Sequence, residues 1–120
     1  MRLGHLERSI METLWKHPDG MFAQQLADAL PSKPAVTTVL TVLVRLSHKE
    51  LVSRHREGRA HLYKATGDRD AFVAESMRVA LDQAGDVEAA VMRFVGTVSP
   101  EVTAALRAAL REHESNGGSR

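Results

Sequence analysis

The chain has 120 residues, 43% of them apolar and 26% charged, with no cysteine and a formal net charge of +1. That composition fits one compact domain or a domain with a short appendage, and it excludes wholesale disorder, disulfides, thiolate metal sites and cysteine nucleophiles. With so small a net charge, any case for nucleic-acid binding rests on where the charges sit.

The opening residues, Met1 to Arg8, contain no apolar h-region, so they do not read as a signal peptide. No run approaches the about 18 consecutive apolar residues of a membrane span, and a cytoplasmic protein is expected. Leu6, Ile10, Met11, Leu14 and Trp15 form a helical stripe that His17-Pro18-Asp19-Gly20 closes. A short second helix carries Phe22, Leu26 and Leu30 on one face and stops at Pro31. After a loop, Pro34 suits the first turn of a third helix, expected over roughly 35–49. Two partly alternating runs, Leu51 to Arg56 and Ala60 to Ala65, flank the turn signal Glu57-Gly58-Arg59 and predict a β-hairpin with a basic tip. Three helices followed by a hairpin make the plan of a winged helix-turn-helix.

The second half predicts three more helices. Asp68-Arg69-Asp70 opens one with Phe72, Val73, Met77, Ala80, Leu81 and Ala84 as its apolar positions, interrupted at Gly85. Val87, Ala90, Val91, Phe94, Val95 and Val98 keep a helical period. Ser99-Pro100-Glu101 supplies an N-cap, a proline at the first helical position and an acidic first turn, before the stripe Val102, Ala105, Leu106, Ala109 and Leu110. The Gly/Ser/Asn-rich tail is expected to be disordered. The fold class is therefore mainly α with a small β-hairpin. A winged helix-turn-helix spans 1–66, a helical region 67–114 and a disordered tail 115–120.

None of these later helices is long enough to be stable alone. They can fold back on the winged helix or pair with a second copy. Val87, Val91, Phe94, Val95 and Val98, with Val102, Leu106 and Leu110, make two adjacent apolar faces that pairing across a two-fold axis would bury. These eight are the candidate dimerisation residues. Met77, Met92 and Phe94 read as packing residues rather than as a ligand pocket.

A helix advances about 100° per residue. On that wheel Val36, Val39, Leu40, Val42, Leu43 and Leu46 cover one arc of the third helix, with Val44 at its margin. Thr37, Thr38, Thr41, Arg45 and His48 gather on the opposite arc. Small hydroxyls let a helix approach a groove closely. Threonine can bond phosphates or base edges, and its methyl can touch a thymine methyl. The N-terminal end of such a helix usually reads bases, which makes Thr37, Thr38 and Thr41 the candidate base contacts and Arg45 a candidate backbone anchor. Taken alone, a solvated threonine face explains the pattern as well, although three surface threonines cost a few tenths of a kcal/mol each in helix propensity. The hairpin adds Arg54, Arg56 and Arg59, with His55 and His61 beside them. Such a tip can lie against phosphates and fix register without reading sequence, or it can simply be a solvated basic turn. Its position directly after the third helix is where a wing belongs.

No phosphate loop, dinucleotide fingerprint, zinc-protease motif or nucleophile elbow is present, so no catalytic residue, metal or cofactor is expected. His55 and His61 could face each other across the hairpin, but solvated histidines account for them.

Several stretches carry a resemblance. Leu3-Gly4-His5-Leu6-Glu7 with Ile10-Met11 and Leu14-Trp15, the run Thr37 to Leu46, Lys49-Glu50-Leu51-Val52, Glu57 to Tyr63, and Met92 to Leu106 are similar to the BlaI/MecI/CopY penicillinase-repressor family over residues 3–112. The resemblance implies an N-terminal winged helix and a C-terminal helical dimerisation region. It implies a homodimer on a palindromic DNA operator, and transcriptional repression. It implies Thr37, Thr38, Thr41 and Arg45 as groove and backbone contacts, Arg59 as a contact from the wing, and a regulatory protease as a partner; Arg56 is a further candidate DNA contact from its place in the hairpin. The chain departs from the family at Val36 and Leu40, where polar residues are common, so its operator is expected to differ. It lacks the cysteine cluster of the copper-responsive branch. It also carries Arg93-Phe94 where the β-lactam branch has a cleaved Asn-Phe bond.

Two other functions stay open on the residues. A winged-helix module that binds protein rather than DNA would more often expose aromatic side chains, whereas Trp15 and Tyr63 suit core or hairpin roles. A small-molecule-responsive regulator would need a cavity in the helical half.

Overall fold

A computed structural model describes residues 3–117. The chain divides between Val79 and Ala80 into two compact units. The first contains α1 (His5–Trp15), β1 (Met21–Phe22), α2 (Ala23–Ala29), α3 (Val36–His48), β2 (Val52–Glu57), β3 (Ala60–Ala65) and most of α4 (Arg69–Asp82).

The core of this unit follows the helical stripes. Ile10, Met11 and Leu14 of α1, Leu26 of α2, and Val39, Leu43 and Leu46 of α3 are buried together with Leu30, and Met21, Ala27, Val42, Val52 and Tyr63 complete the cluster. Glu7 returns its carboxylate to the start of α1, where Oε1 accepts the Gly4 N–H at 2.8 Å. Gln25 does the same for α2, accepting the Phe22 N–H at 2.8 Å.

The sheet has three antiparallel strands in the order β1-β3-β2. The sequence reading put Phe22 on the second helix. Instead, Met21 and Phe22 form β1, with Met21 opposite Tyr63 and Phe22 opposite Leu62, and α2 begins one residue later. Two residues are too few for an alternating pattern to register. The hairpin forms as expected: Glu57 stands opposite Ala60, and Gly58 takes φ +63° as the first central residue of a two-residue turn.

At the end of α3 the backbone turns sharply into β2. The Leu51 N–H reaches the Leu46 carbonyl at 3.0 Å and the Glu50 N–H reaches that of Ser47 at 3.0 Å, with Glu50 left-handed at φ +62°. This is a Schellman closure, with glutamate in the place glycine usually takes. Thr66 locks the other side, its hydroxyl donating to the Glu50 carbonyl at 2.9 Å. The wing is thereby set immediately behind α3.

The first turns of α4 belong to the first unit, because they pack on α1. Arg69 makes a two-pronged bridge to Glu12 at 2.6 Å on each oxygen, its guanidinium lies 5.0 Å over the Trp15 ring, and Phe72 meets Trp15 with ring centroids 5.5 Å apart.

The second unit holds the end of α4, then α5 (Val87–Thr97) and α6 (Pro100–Gly117). Asp86 caps α5 by accepting the Ala89 N–H at 3.1 Å, and Ser99 caps α6 through the Val102 N–H at 3.3 Å. The tail was expected to be disordered from Ser115. In fact α6 runs on to Gly117, with the Asn116 amide donating to Glu112 one turn back at 3.3 Å; residues 118–120 lie outside the described residues. None of the residues of α5 or α6 is buried. Met77 on α4 and Met92 and Phe94 on α5, expected to be packed, are exposed within one chain. Among the described residues, no helix is long and apolar enough to cross a membrane.

Candidate nucleic-acid interface

The third helix presents two chemically distinct sides. Val42, Leu46, Val39 and Leu43 are buried, an arc of about 100° at the helical advance per residue. Thr37, Thr38, Thr41 and Arg45, the four candidate contacts on this helix, are all exposed on the far side, as is His48. Leu40 departs from the expectation. It was placed with the core-facing residues, yet it is 38% exposed, and Val44 is 53% exposed. Leu40 lies about 100° from Val39 on the wheel, beyond the strip that the core covers. The solvent face of α3 thus mixes hydroxyls and a guanidinium with two aliphatic side chains, which is the set of groups that meets base edges and thymine methyls. A narrower assumed docking arc would have found both residues in the sequence.

Local bonding sets how these side chains present themselves. The Thr41 hydroxyl donates to the Thr37 carbonyl at 3.0 Å, which leaves its oxygen lone pairs free to accept on an exposed side chain. The N-cap of α3 is Ala35, whose methyl cannot accept a hydrogen bond from the first amides. The end of the helix is fixed by Lys49, whose Nζ lies 2.8 Å from Glu7 Oε2. The Lys49 hydrogen bond, chiefly, and the Gly4 N–H hold the Glu7 carboxyl below its ordinary value against the opposing effect of burial, with the charges of Lys49 and Arg45 adding to the shift.

The wing carries its cations on more than one surface. Side chains alternate along a strand. Arg54 stands opposite Tyr63 and Arg56 opposite His61, so all four share one sheet face. Arg59 sits in the turn itself, and Arg56 is tied to that turn by donating from Nε to the Gly58 carbonyl at 3.0 Å. Arg54, Arg56 and Arg59 are all exposed. His55 stands opposite Leu62 on the other face, with its Nε2 3.2 Å from Ser53 Oγ, so His55 and His61 do not face each other. Among the described residues there is no group of three or more histidines and carboxylates that could hold a metal ion.

The eight candidate dimerisation residues all lie in the second unit. Val87, Val91, Phe94, Val95 and Leu110 are exposed, while Val98, Val102 and Leu106 are half-buried.

Comparison with known proteins gives the family and the fold. The chain is 43% identical over 124 aligned residues to a transcriptional regulator named BlaI from Mycobacterium tuberculosis, with 99% of this chain and 90% of that protein covered. The solved DNA-binding domain of the repressor BlaI is 27% identical, covers 57% of this chain and 84% of its own, and superposes with a TM-score of 0.51. The regulator MepR of Staphylococcus aureus, 20% identical with a TM-score of 0.53 over 95% of this chain and 79% of its own, shares the winged-helix fold. The penicillinase repressor family matches residues 3–112. With nearly the whole chain matched, and with its elements in this order, the protein belongs to the penicillinase repressor family.

Proposed function

We propose that this chain is a sequence-specific DNA-binding transcriptional repressor that acts as a homodimer on a palindromic operator. One observation carries the reading. The helix whose aliphatic side forms the core turns Thr37, Thr38, Thr41 and Arg45 outward together, with a basic hairpin set directly behind it. In this reading Thr37, Thr38 and Thr41 read base edges, Arg45 holds the backbone, and Arg56 and Arg59 place the wing on phosphates. The regulator function of the Mycobacterium relative and the DNA-binding role of the solved repressor domain support it.

Dimerisation follows from the second unit. Two helices with aliphatic stripes and no buried residue leave Val87, Val91, Phe94, Val95 and Leu110 in water, and a second copy would cover them. Two copies double the phosphate contacts and set half-site spacing near one helical turn of DNA or a multiple of it. The reading is non-enzymatic and places the protein in the cytoplasm with its DNA. A regulatory protease is the partner the family resemblance implies for relief of repression. At the matching pair Arg93-Phe94 the chain is helical, so cleavage there requires α5 to open locally.

The test is to select duplexes bound by the purified protein from fragmented genomic DNA and to measure affinity for the enriched sequence. A two-fold symmetric enriched site bound by two chains is expected. No enrichment over input, with no binding at low salt, would refute the reading.

A further inference from the structure

Between the C-terminal half of α3 and the sheet lies a groove of about 330 Å³, lined by Val44, Ser47 and His48 of α3, Val52 and Arg54 of β2 and Tyr63 of β3. Val52 and Tyr63 are buried and form its apolar floor, while His48 and Arg54 are exposed and Ser47 is half-buried. The polar groups offered here are a guanidinium, an imidazole and two hydroxyls, and none of the lining residues is a carboxylate. Among the described residues neither Arg54 nor His48 takes part in an ion pair. Donors of this kind around a small open cleft match a phosphate oxygen cluster. The cleft also adjoins the face of α3 that carries the candidate base contacts.

We propose that this groove seats one backbone phosphate of the bound duplex, held by Arg54, Ser47 and His48. The proposal rests on the DNA-binding reading given above and adds to it a specific contact. The strand alternation that puts Val52 into the core puts Arg54 on the same face, toward α3. The charged neighbours of His48 are Arg54 from β2 and Arg45 one turn earlier on α3, while β3 contributes the uncharged Tyr63. Lys49, next in sequence, is turned away to Glu7.

The experiment is fluorescence anisotropy of the full chain with a labelled duplex of about 30 base pairs, enriched from a random-sequence pool by the wild-type protein and long enough for two half-sites. His48→Gln is expected to weaken binding to the enriched duplex and to a scrambled one by a similar factor, since a phosphate contact carries no sequence information, whereas His61→Gln, which sits one step toward the hairpin tip, binds as wild type does. Arg54→Ala weakens binding and lowers the slope of log affinity against log salt by about 0.9, as loss of one phosphate contact requires, and Arg54→Lys restores the slope. Thermal melts matching wild type show that the variants are folded. An unchanged affinity in His48→Gln, or an unchanged salt slope in Arg54→Ala, overturns the proposal while leaving the repressor reading standing. Failure of the wild type to bind any duplex at low salt overturns both.

Discussion

Glu7 at the start of α1 and Lys49 at the end of α3 are joined by a 2.8 Å ion pair, and the Glu7 side chain is only 8% exposed. The bond ties the first helix of the domain to the far end of the helix proposed to read DNA. The same carboxylate also accepts the Gly4 N–H, so one side chain both closes the start of α1 and fixes where α3 ends.

That bond makes stability pH-dependent in a definite direction. The folded carboxyl titrates below its ordinary value of 4.5, so its contribution is fully present above that pH and is lost as pH falls through the lower, folded value. Glu7→Gln is expected to cost about 1–2 kcal/mol at pH 6. The difference from wild type should shrink as urea denaturation is repeated from pH 5 down to pH 3. A difference that stays constant over that range would assign the cost to packing rather than to charge.

Gly20 is a stricter requirement. It holds φ +98°, and a Cβ there would lie 2.9 Å from both Leu62 Cγ and Lys64 Cγ and 3.0 Å from the Tyr63 carbonyl oxygen. Gly20→Ala is expected to destabilise by about 2–3 kcal/mol, from the clash together with the left-handed backbone. Gly58 also has positive φ but has nothing within 4 Å. Gly58→Ala should therefore cost only the conformational share, about 1 kcal/mol. Chemical denaturation of the two variants side by side checks the ranking, and equal losses would contradict the proposed close approach of Gly20 to β3.

The dimer surface is open to direct disruption. Val91→Asp and Phe94→Asp place a charge on α5 where neither side chain is buried within one chain. Helical content by circular dichroism should hold, while sedimentation equilibrium should show wild type at twice the chain mass and the variants shifted at least 100-fold toward monomer, about 3 kcal/mol. Variants that stay as tightly dimeric as wild type would move the interface elsewhere.

Arg59 in the turn of the wing tests the phosphate contact at the tip. Arg59→Ala is expected to weaken binding to every duplex by a similar factor and to lower the salt slope by about 0.9, since a phosphate contact carries no sequence information. A loss confined to the enriched sequence would assign Arg59 to base reading.

Much of the fold could be read in the residues, because its core is built from stripes at helical spacing. Ile10, Met11 and Leu14, and Val39, Leu43 and Leu46, are each placed by period alone and are each buried. Pro31 and Gly58 marked the end of α2 and the hairpin turn. The strand Met21–Phe22 was not legible, since its two residues are fixed by pairing with Leu62 and Tyr63, a contact about 40 residues away that no local pattern carries. The packing of α4 on α1 was not legible for a related reason: Arg69 and Phe72 look like the opening of a new helix, but their partners are Glu12 and Trp15. On the candidate interface, polarity and helical phase agree in putting Thr37, Thr38, Thr41 and Arg45 on the outward side of α3, and all four are exposed. Leu40 was misplaced because its hydrophobicity said core while its phase placed it at the edge.

The central claim is that the outward face of α3 reads bases. It is tested most directly by Thr38→Ala and Thr41→Ala, each measured by anisotropy on the enriched duplex and on a scrambled duplex of equal length and composition. The account predicts a loss of about 1–3 kcal/mol on the enriched sequence and little change on the scrambled one. Equal losses on both duplexes, or none on either, would contradict it.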